Sequence, residues 1–264
     1  MSTATAPRPI ALLEGARNFR DVGGPSSRDG RHVRKGLVFR SEHLAHLTHS
    51  DMETFQRLHI KLIFDLRSHR ERIRLPSRLP QEPAPEIIEM SIHQDVNAAH
   101  ETFRTLIRRD PSPEGAVHTM MEIYRGHPKA FDGKLTKFFD RLINGQFAAV
   151  VHCHAGKDRT GFASAMLLLA LDVPLEAVFE DYLATMHHLD PTRSAEALKP
   201  VLAEMLDKPL GTAALMEIMS VRREYLQTAL DSIDKDYGSI DAYLERAAGL
   251  TPDRRRALQA LMLE

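Results

Sequence analysis

Apolar residues come in short runs through the first part of this chain and in spaced stripes through the rest. Leu37-Val38-Phe39-Arg40, Leu62-Ile63-Phe64, Ile87-Ile88-Glu89-Met90 and Phe147-Ala148-Ala149-Val150-Val151 have strand length and are bounded by charged or turn residues. Asp29-Gly30 predicts a hairpin ahead of the first run. Thr48 or Ser50 can cap a helix over 51–58, with Phe55 and Leu58 inward. Further helices are expected over 98–109, 114–125 and 129–143. The last of these carries Phe131, Leu135, Phe138, Phe139 and Leu142 on one face. The segment 162–171 is apolar all round and reads as a buried helix, followed by another over 175–187. From Pro191 onward no strand is evident. Leu198, Val201, Leu202, Met205 and Leu206 form a stripe, Pro209-Leu210-Gly211 interrupts it, and helices follow over 215–230, over 240–248 and after Pro252. The pattern predicts an α/β fold: a short, mostly parallel central sheet flanked by helices, with an all-helical C-terminal part. Residues 1–15 read as a flexible N-terminal arm and 16–264 as one domain.

Composition narrows the function. Lys and Arg number 35 against 36 Asp and Glu, so no global charge draws the chain to nucleic acid or a membrane surface. No apolar run has spanning length, so no stable membrane insertion is expected. The one cysteine, Cys153, rules out an internal disulfide framework and suits a reducing compartment. Met1 to Pro9 has no signal-like apolar core, so a cytoplasmic location is expected, with non-classical export left open. No nucleotide-binding fingerprint and no serine-hydrolase elbow occurs, and no cofactor is expected. His43, His46 and His49 repeat at spacing three, but in a polar loop without other ligand types, so no metal is expected.

One stretch carries chemistry: His152-Cys153-His154-Ala155-Gly156-Lys157-Asp158-Arg159-Thr160-Gly161, between the last strand and the buried helix. Such a loop turns successive backbone N–H groups inward, and the following helix adds the positive end of its dipole. The amides of His154, Ala155, Gly156, Lys157, Asp158 and Arg159 can surround phosphoryl oxygens, and Arg159 can bind two of them in a planar fork. The same field favours the thiolate of Cys153. His152 is expected to orient that nucleophile, and Thr160 can donate to the sulfur as it leaves. Four consecutive polar residues do not belong in a buried strand-to-helix turn unless they face a ligand. A cysteine-dependent phosphomonoester hydrolase follows. A sulfurtransferase also sets a cysteine on such a loop, but Arg159-Thr160 suits phosphate. A phosphate-binding module without turnover is the non-enzymatic rival.

The stretch resembles the phosphate-binding loop of the protein tyrosine phosphatases, Cys-x5-Arg-Ser/Thr, in the form seen in a bacterial atypical group active on phosphotyrosine and phosphoinositides. Asn18 to Gly24, Arg40-Ser41, Asp65-Leu66-Arg67-Ser68 with Glu71, Val221 to Leu226, Tyr237-Gly238-Ser239, Tyr243-Leu244 and Gly249-Leu250-Thr251 resemble further blocks of that group. The resemblance implies phosphotyrosyl proteins or phosphoinositides as substrates, with the oligomeric state left open. It also implies a helical insertion, here about 190–232, that could cover the pocket as a lid. Since Cys153 has no internal partner for a rescuing disulfide, the same all-helical segment is expected to shield it from oxidation. The large eukaryotic members draw a general acid from a Trp-Pro-Asp loop, yet this chain has no Trp. Asp158 inside the loop is the favoured acid, Asp65 at the end of the second strand is the other, and Asp95 is a distant third. Lys157 reads either as solvated or as a contact to a second phosphate. Arg70, Arg72 and Arg74 read as a solvated face or as a basic rim.

Overall fold

The strand before the loop lies at the centre of the sheet. In the computed structural model, which describes residues 12–93, 100–189, 191–207 and 209–264, five strands pair among the described residues in the order β1-β2-β5-β3-β4. These are β1 (Arg20–Asp21), β2 (Val38–Ser41), β3 (Leu62–Asp65), β4 (Glu86–Glu89) and β5 (Ala149–His152). All neighbours run parallel except β1 with β2. The register sets Ser41 and Asp65 beside His152, so the three central strands end in one polar row. Carboxyl ends of parallel strands are where such sheets collect ligand-binding groups. The chain's four strand-length runs therefore become strands, shifted by one or two residues. β4 is one of the two edge strands, and the pairs Arg141–Glu86 and Arg72–Glu89 guard it.

Alternation along the strands sends side chains to two cores. Val38, Leu62, Phe64, Ala149 and Val151 face the larger one, which most of the helices cover. Phe39, Ile63 and Val150 face a smaller one with Leu13, Phe19, Leu44, Leu47 and Phe55, the last from α1 (His49–Arg57). The loop helix is α7 (Asp158–Ala170), buried on nearly every side, as its mostly apolar sequence from Phe162 onward requires. Before it come α2 (His69–Arg74), α3 (His100–Arg109), α4 (Pro113–Arg125), α5 (His127–Phe131) and α6 (Lys134–Ile143). After it come α8 (Leu175–Leu183), α9 (Thr185–His188), α10 (Pro191–Leu206), α11 (Thr212–Met219), α12 (Arg223–Tyr237), α13 (Ile240–Arg246) and α14 (Pro252–Met262). No helix among the described residues is long and apolar enough to cross a membrane.

Three expectations need correction. The helix expected over 129–143 is two helices, parted where Asp132 turns extended at ψ 129. The helix expected over 215–230 also breaks, because Ser220 and Arg222 are extended between α11 and α12. α12 buries Tyr225, Leu226, Ala229, Leu230 and Ile233 in the main core, so the last part of the expected insertion, from residue 223, belongs to the body of the domain. In the expected stripe Leu202 and Leu206 are buried, while the side chains of Leu198 and Val201, like Asp95, lie outside the described residues.

Residues 13–15, expected in the arm, are docked on the domain instead. Residues 1–11 lie outside the described part, but Leu13 is buried in the smaller core. The amides of Glu14 and Gly15 donate to the Asp51 carboxylate, each at 2.8 Å, and the Thr48 amide donates to it at 2.9 Å. Asp51 and Thr48 form the capping box of α1, so one carboxylate starts that helix and docks the chain's beginning. Asp51→Ala should destabilise the fold by about 2 kcal/mol, since three part-buried amides lose a charged acceptor. Urea denaturation tests this, and a loss no larger than about 0.5 kcal/mol, as for a surface site, would contradict it.

Candidate active site

Cys153 sits at the first loop position beyond β5 and is 3 % exposed. The loop then curls back, with Gly156 at φ +64 and so close to β2 that a Cβ would lie 2.4 Å from the Ser41 carbonyl oxygen. Only glycine meets both demands. The turn is held from outside. Asn18 Nδ2 and an Arg40 terminal nitrogen donate to the Gly156 carbonyl at 2.8 and 3.1 Å, and the His43 amide donates to the His154 carbonyl at 3.0 Å. With its carbonyls turned outward to these donors, the loop can direct its amides inward. Arg40 is fully buried and pairs with Asp181, which Arg20 also approaches at 3.5 Å. Burial and the neighbouring Arg40 lower the pKa of Arg20 to about 9.

Arg159, in the first turn of α7, is fully buried. Its two terminal nitrogens donate to the two Glu71 oxygens at 2.9 and 2.7 Å, and one also reaches the Leu66 and Ile92 carbonyls at 3.3 Å. Glu71 also accepts from the Ser68 amide and hydroxyl, both at 2.8 Å, as the capping-box acid of α2. Burial works to raise the Glu71 pKa, but Arg159 and Ser68 hold it at about 2. The arginine plane is thereby fixed before any ligand arrives.

His152 is fully buried, with Nδ1 3.2 Å from its neighbour Cys153's carbonyl oxygen and Nε2 3.6 Å from Asp65. Because a carbonyl only accepts, the Nδ1 contact makes Nδ1 the donor. Asp65 is 2 % exposed and takes the Arg67 guanidinium at 3.0 and 2.7 Å. Burial works to raise its pKa, and His152 and Arg67 bring it below the ordinary value. An acid so paired and so buried is ill suited to protonating a leaving group. Thr160 is buried, and its Oγ1 has no hydrogen-bond partner among the described residues.

Asp158 is 9 % exposed and accepts from the Tyr124 hydroxyl at 2.7 Å. Lys157 is neither solvated nor turned outward. It is buried, its Nζ donates to the Ile218 and Ser220 carbonyls at the end of α11, and it lies 3.5 Å from Asp158. His154 lies half-buried beside His43, with ring centroids 5.3 Å apart. Burial lowers its pKa, and Arg159, Arg67 and Arg74 lower it further. Arg74 and Arg70 are exposed on α2, whereas Arg72 bonds the Arg67 carbonyl and Glu89. His49 faces Glu53 on α1, away from the contact that His43 makes with His46.

The structure brings together residues 152–160, Glu71 and the buttress of Asn18, Arg40 and Asp181. The pattern of residues 68–71 announces a capping box, but nothing local ties Glu71 to Arg159. Tyr124 and Tyr182 carry no sequence signal, since aromatic residues on buried helix faces read as core.

His127 and His152 are wholly buried and stay neutral in the fold, because burial brings both pKa values from 6.5 to about 4. Between those pH values the unfolded chain binds more protons. Stability is therefore whole above pH 6.5 and falls as pH drops toward 4, each histidine adding a slope of up to about 1.4 kcal/mol per pH unit. Denaturation series across that window should show a shallower fall for His127→Gln than for the native chain. An unchanged slope would contradict the assignment.

The tyrosine phosphatase family profile matches residues 11–264. PtpB of Mycobacterium tuberculosis, named a triple specificity protein phosphatase, is 31 % identical over 287 residues, covering 96 % of this chain and 99 % of its own. A Cupriavidus necator protein carrying a tyrosine-protein phosphatase name is 31 % identical over 233 residues, 87 % of this chain and 81 % of its own. Among solved structures, TpbA of P. aeruginosa overlaps with a TM-score of 0.32 at 14 % identity, over 71 % of this chain and 89 % of its own.

Proposed function

This chain belongs to the tyrosine phosphatase family, and from that premise we propose that it hydrolyses phosphotyrosine in proteins through a phosphocysteine on Cys153. The observation that carries the assignment is the convergence, at the end of the central strand, of a lone thiol, a curled amide loop and a buried arginine held by Glu71. Cys153 attacks phosphorus as a thiolate. The loop amides and the Arg159 fork bind the equatorial oxygens as charge shifts onto the departing phenolic oxygen. Asp158 gives that oxygen its proton. A water molecule then attacks the phosphocysteine, gives a proton back to Asp158, and releases phosphate and the thiolate. Thr160 Oγ1, free of other partners among the described residues, supports the sulfur as it leaves. The phosphoryl transfer needs no metal or organic cofactor in this scheme. Asp65, held by Arg67, does not act as the acid in this scheme.

A wider substrate range, including phosphoinositides, is supported by the exposed Arg70 and Arg74 on the helix that carries Glu71, and by the triple specificity name of the M. tuberculosis relative. The covering segment reads as a shield for Cys153, supported by the Lys157 contacts to the end of α11 and by the 3 % exposure of the thiol. The cytoplasm is the proposed site of action, since a lone catalytic thiol needs reducing surroundings.

Phosphotyrosine peptide, phosphoserine peptide and phosphoinositide should be compared side by side with chelator present. Phosphotyrosine should turn over fastest, and Cys153→Ser should bind phosphate without releasing it from substrate. Turnover that disappears with chelator would overturn the cysteine mechanism. Asp158→Ala should lose about a thousandfold on phenyl phosphate but only a few-fold on dinitrophenyl phosphate, whose leaving group needs no proton. Equal losses would remove Asp158 from the acid role.

A further inference from the structure

Behind Asp158 lie two tyrosines that the mechanism above does not use. Tyr124, near the end of α4, is fully buried, and Tyr182, on α8, is 1 % exposed. The Tyr124 hydroxyl donates to Asp158 Oδ1 at 2.7 Å and lies 2.7 Å from the Tyr182 hydroxyl. A phenol has one proton. Since Tyr124 gives its proton to Asp158, Tyr182 must be the donor to Tyr124. The chain therefore has a direction, from Tyr182 through Tyr124 to Oδ1. Lys157 Nζ approaches the same oxygen at 3.5 Å, and no described residue donates to Oδ2.

We propose that Tyr124 and Tyr182 are positioning residues for the general acid: their donor chain occupies Asp158 Oδ1 and leaves Oδ2 as the oxygen that carries the proton to the leaving group. This rests on Asp158 being the acid. In the first step the Oδ2–H bond breaks and its proton goes to the phenolic oxygen as the P–O bond breaks. In the second step a proton from water returns to Oδ2. The tyrosine protons do not move.

Packing fits this role. Gly161 leaves room for the Tyr182 ring against the first turn of α7, where a Cβ would lie 2.9 Å from the ring. His127 stacks on Tyr124 at 4.6 Å between centroids and 8° between planes, and Tyr225 lies 5.7 Å away on the covering side of α4. Burial, reinforced by Asp158, raises both tyrosine pKa values well above the ordinary one, so both remain donors. A carboxyl with one oxygen pinned loses the rotation that would otherwise present either oxygen to the substrate.

The test is the dependence of kcat/KM on leaving group, from phenyl to dinitrophenyl phosphate. kcat/KM reports formation of the phosphocysteine. Tyr124→Phe should lose about tenfold on phenyl phosphate and less than about twofold on dinitrophenyl phosphate, and Tyr182→Phe about threefold and none. A merely structural role would lower both substrates alike, and that outcome, or no loss on either, overturns the proposal. If Tyr124→Phe does not fold, Tyr182→Phe decides by the same comparison. Asp158→Ala, measured in parallel, separates the two failures. A steep leaving-group dependence there with none in the tyrosine variants removes only the positioning role, whereas a flat one removes the acid and the positioning role with it.

Discussion

A buried guanidinium sits at the base of this site, and the surrounding structure is arranged to keep it charged and in plane. Taking a cation and a carboxylate out of water is costly, and removing one partner of such a pair leaves an uncompensated charge at a penalty of about 3–5 kcal/mol. Arg159 and Glu71 meet through two parallel hydrogen bonds, and Glu71 is itself fixed by Ser68 at the start of α2. The loop after β3 is thus bolted to the helix after β5. The proposed reaction would draw on the same preorganisation: a guanidinium already held in plane loses little freedom on binding phosphoryl oxygens.

A second buried pair organises the other side of the strand end. Asp65, locked by Arg67, lies in register with His152, so the row of residues ending the central strands orients the backbone from which Cys153 projects. Arg40, Asn18 and Asp181 grip the outside of the loop. Cationic side chains beneath an anion site raise its potential in a medium that screens poorly. Anion binding here is a property of the whole sheet edge rather than of one loop.

Lys157 links this edge to the end of α11. Its ammonium satisfies carbonyls left open at the end of α11, which carry the negative end of that helix's dipole. The break at Ser220–Arg222 makes those carbonyls available, and it divides the segment that leans on α3 and α4 from α12 in the core. A loop residue that could have met solvent or a second phosphate is instead a contact between the loop and α11.

Residues 152–161 disclose their chemistry in sequence because the reacting groups are consecutive: a strand-to-helix turn makes neighbours in the chain neighbours in the site. The strands and most helices are legible for a related reason, since hydrophobic periodicity is itself local. The breaks at Asp132 and Ser220 are hidden because apolar spacing runs through them, and the docking of Leu13 because it depends on Asp51, 38 positions away. What Glu71 holds, where Lys157 goes and what Tyr124 and Tyr182 touch were decided only by the tertiary structure. These contacts join residues 34 to 88 positions apart, and no spacing along a chain encodes which buried groups must find one another to stay hydrogen-bonded. What the sequence determined alone was the phosphate-sized turn that carries the only thiol.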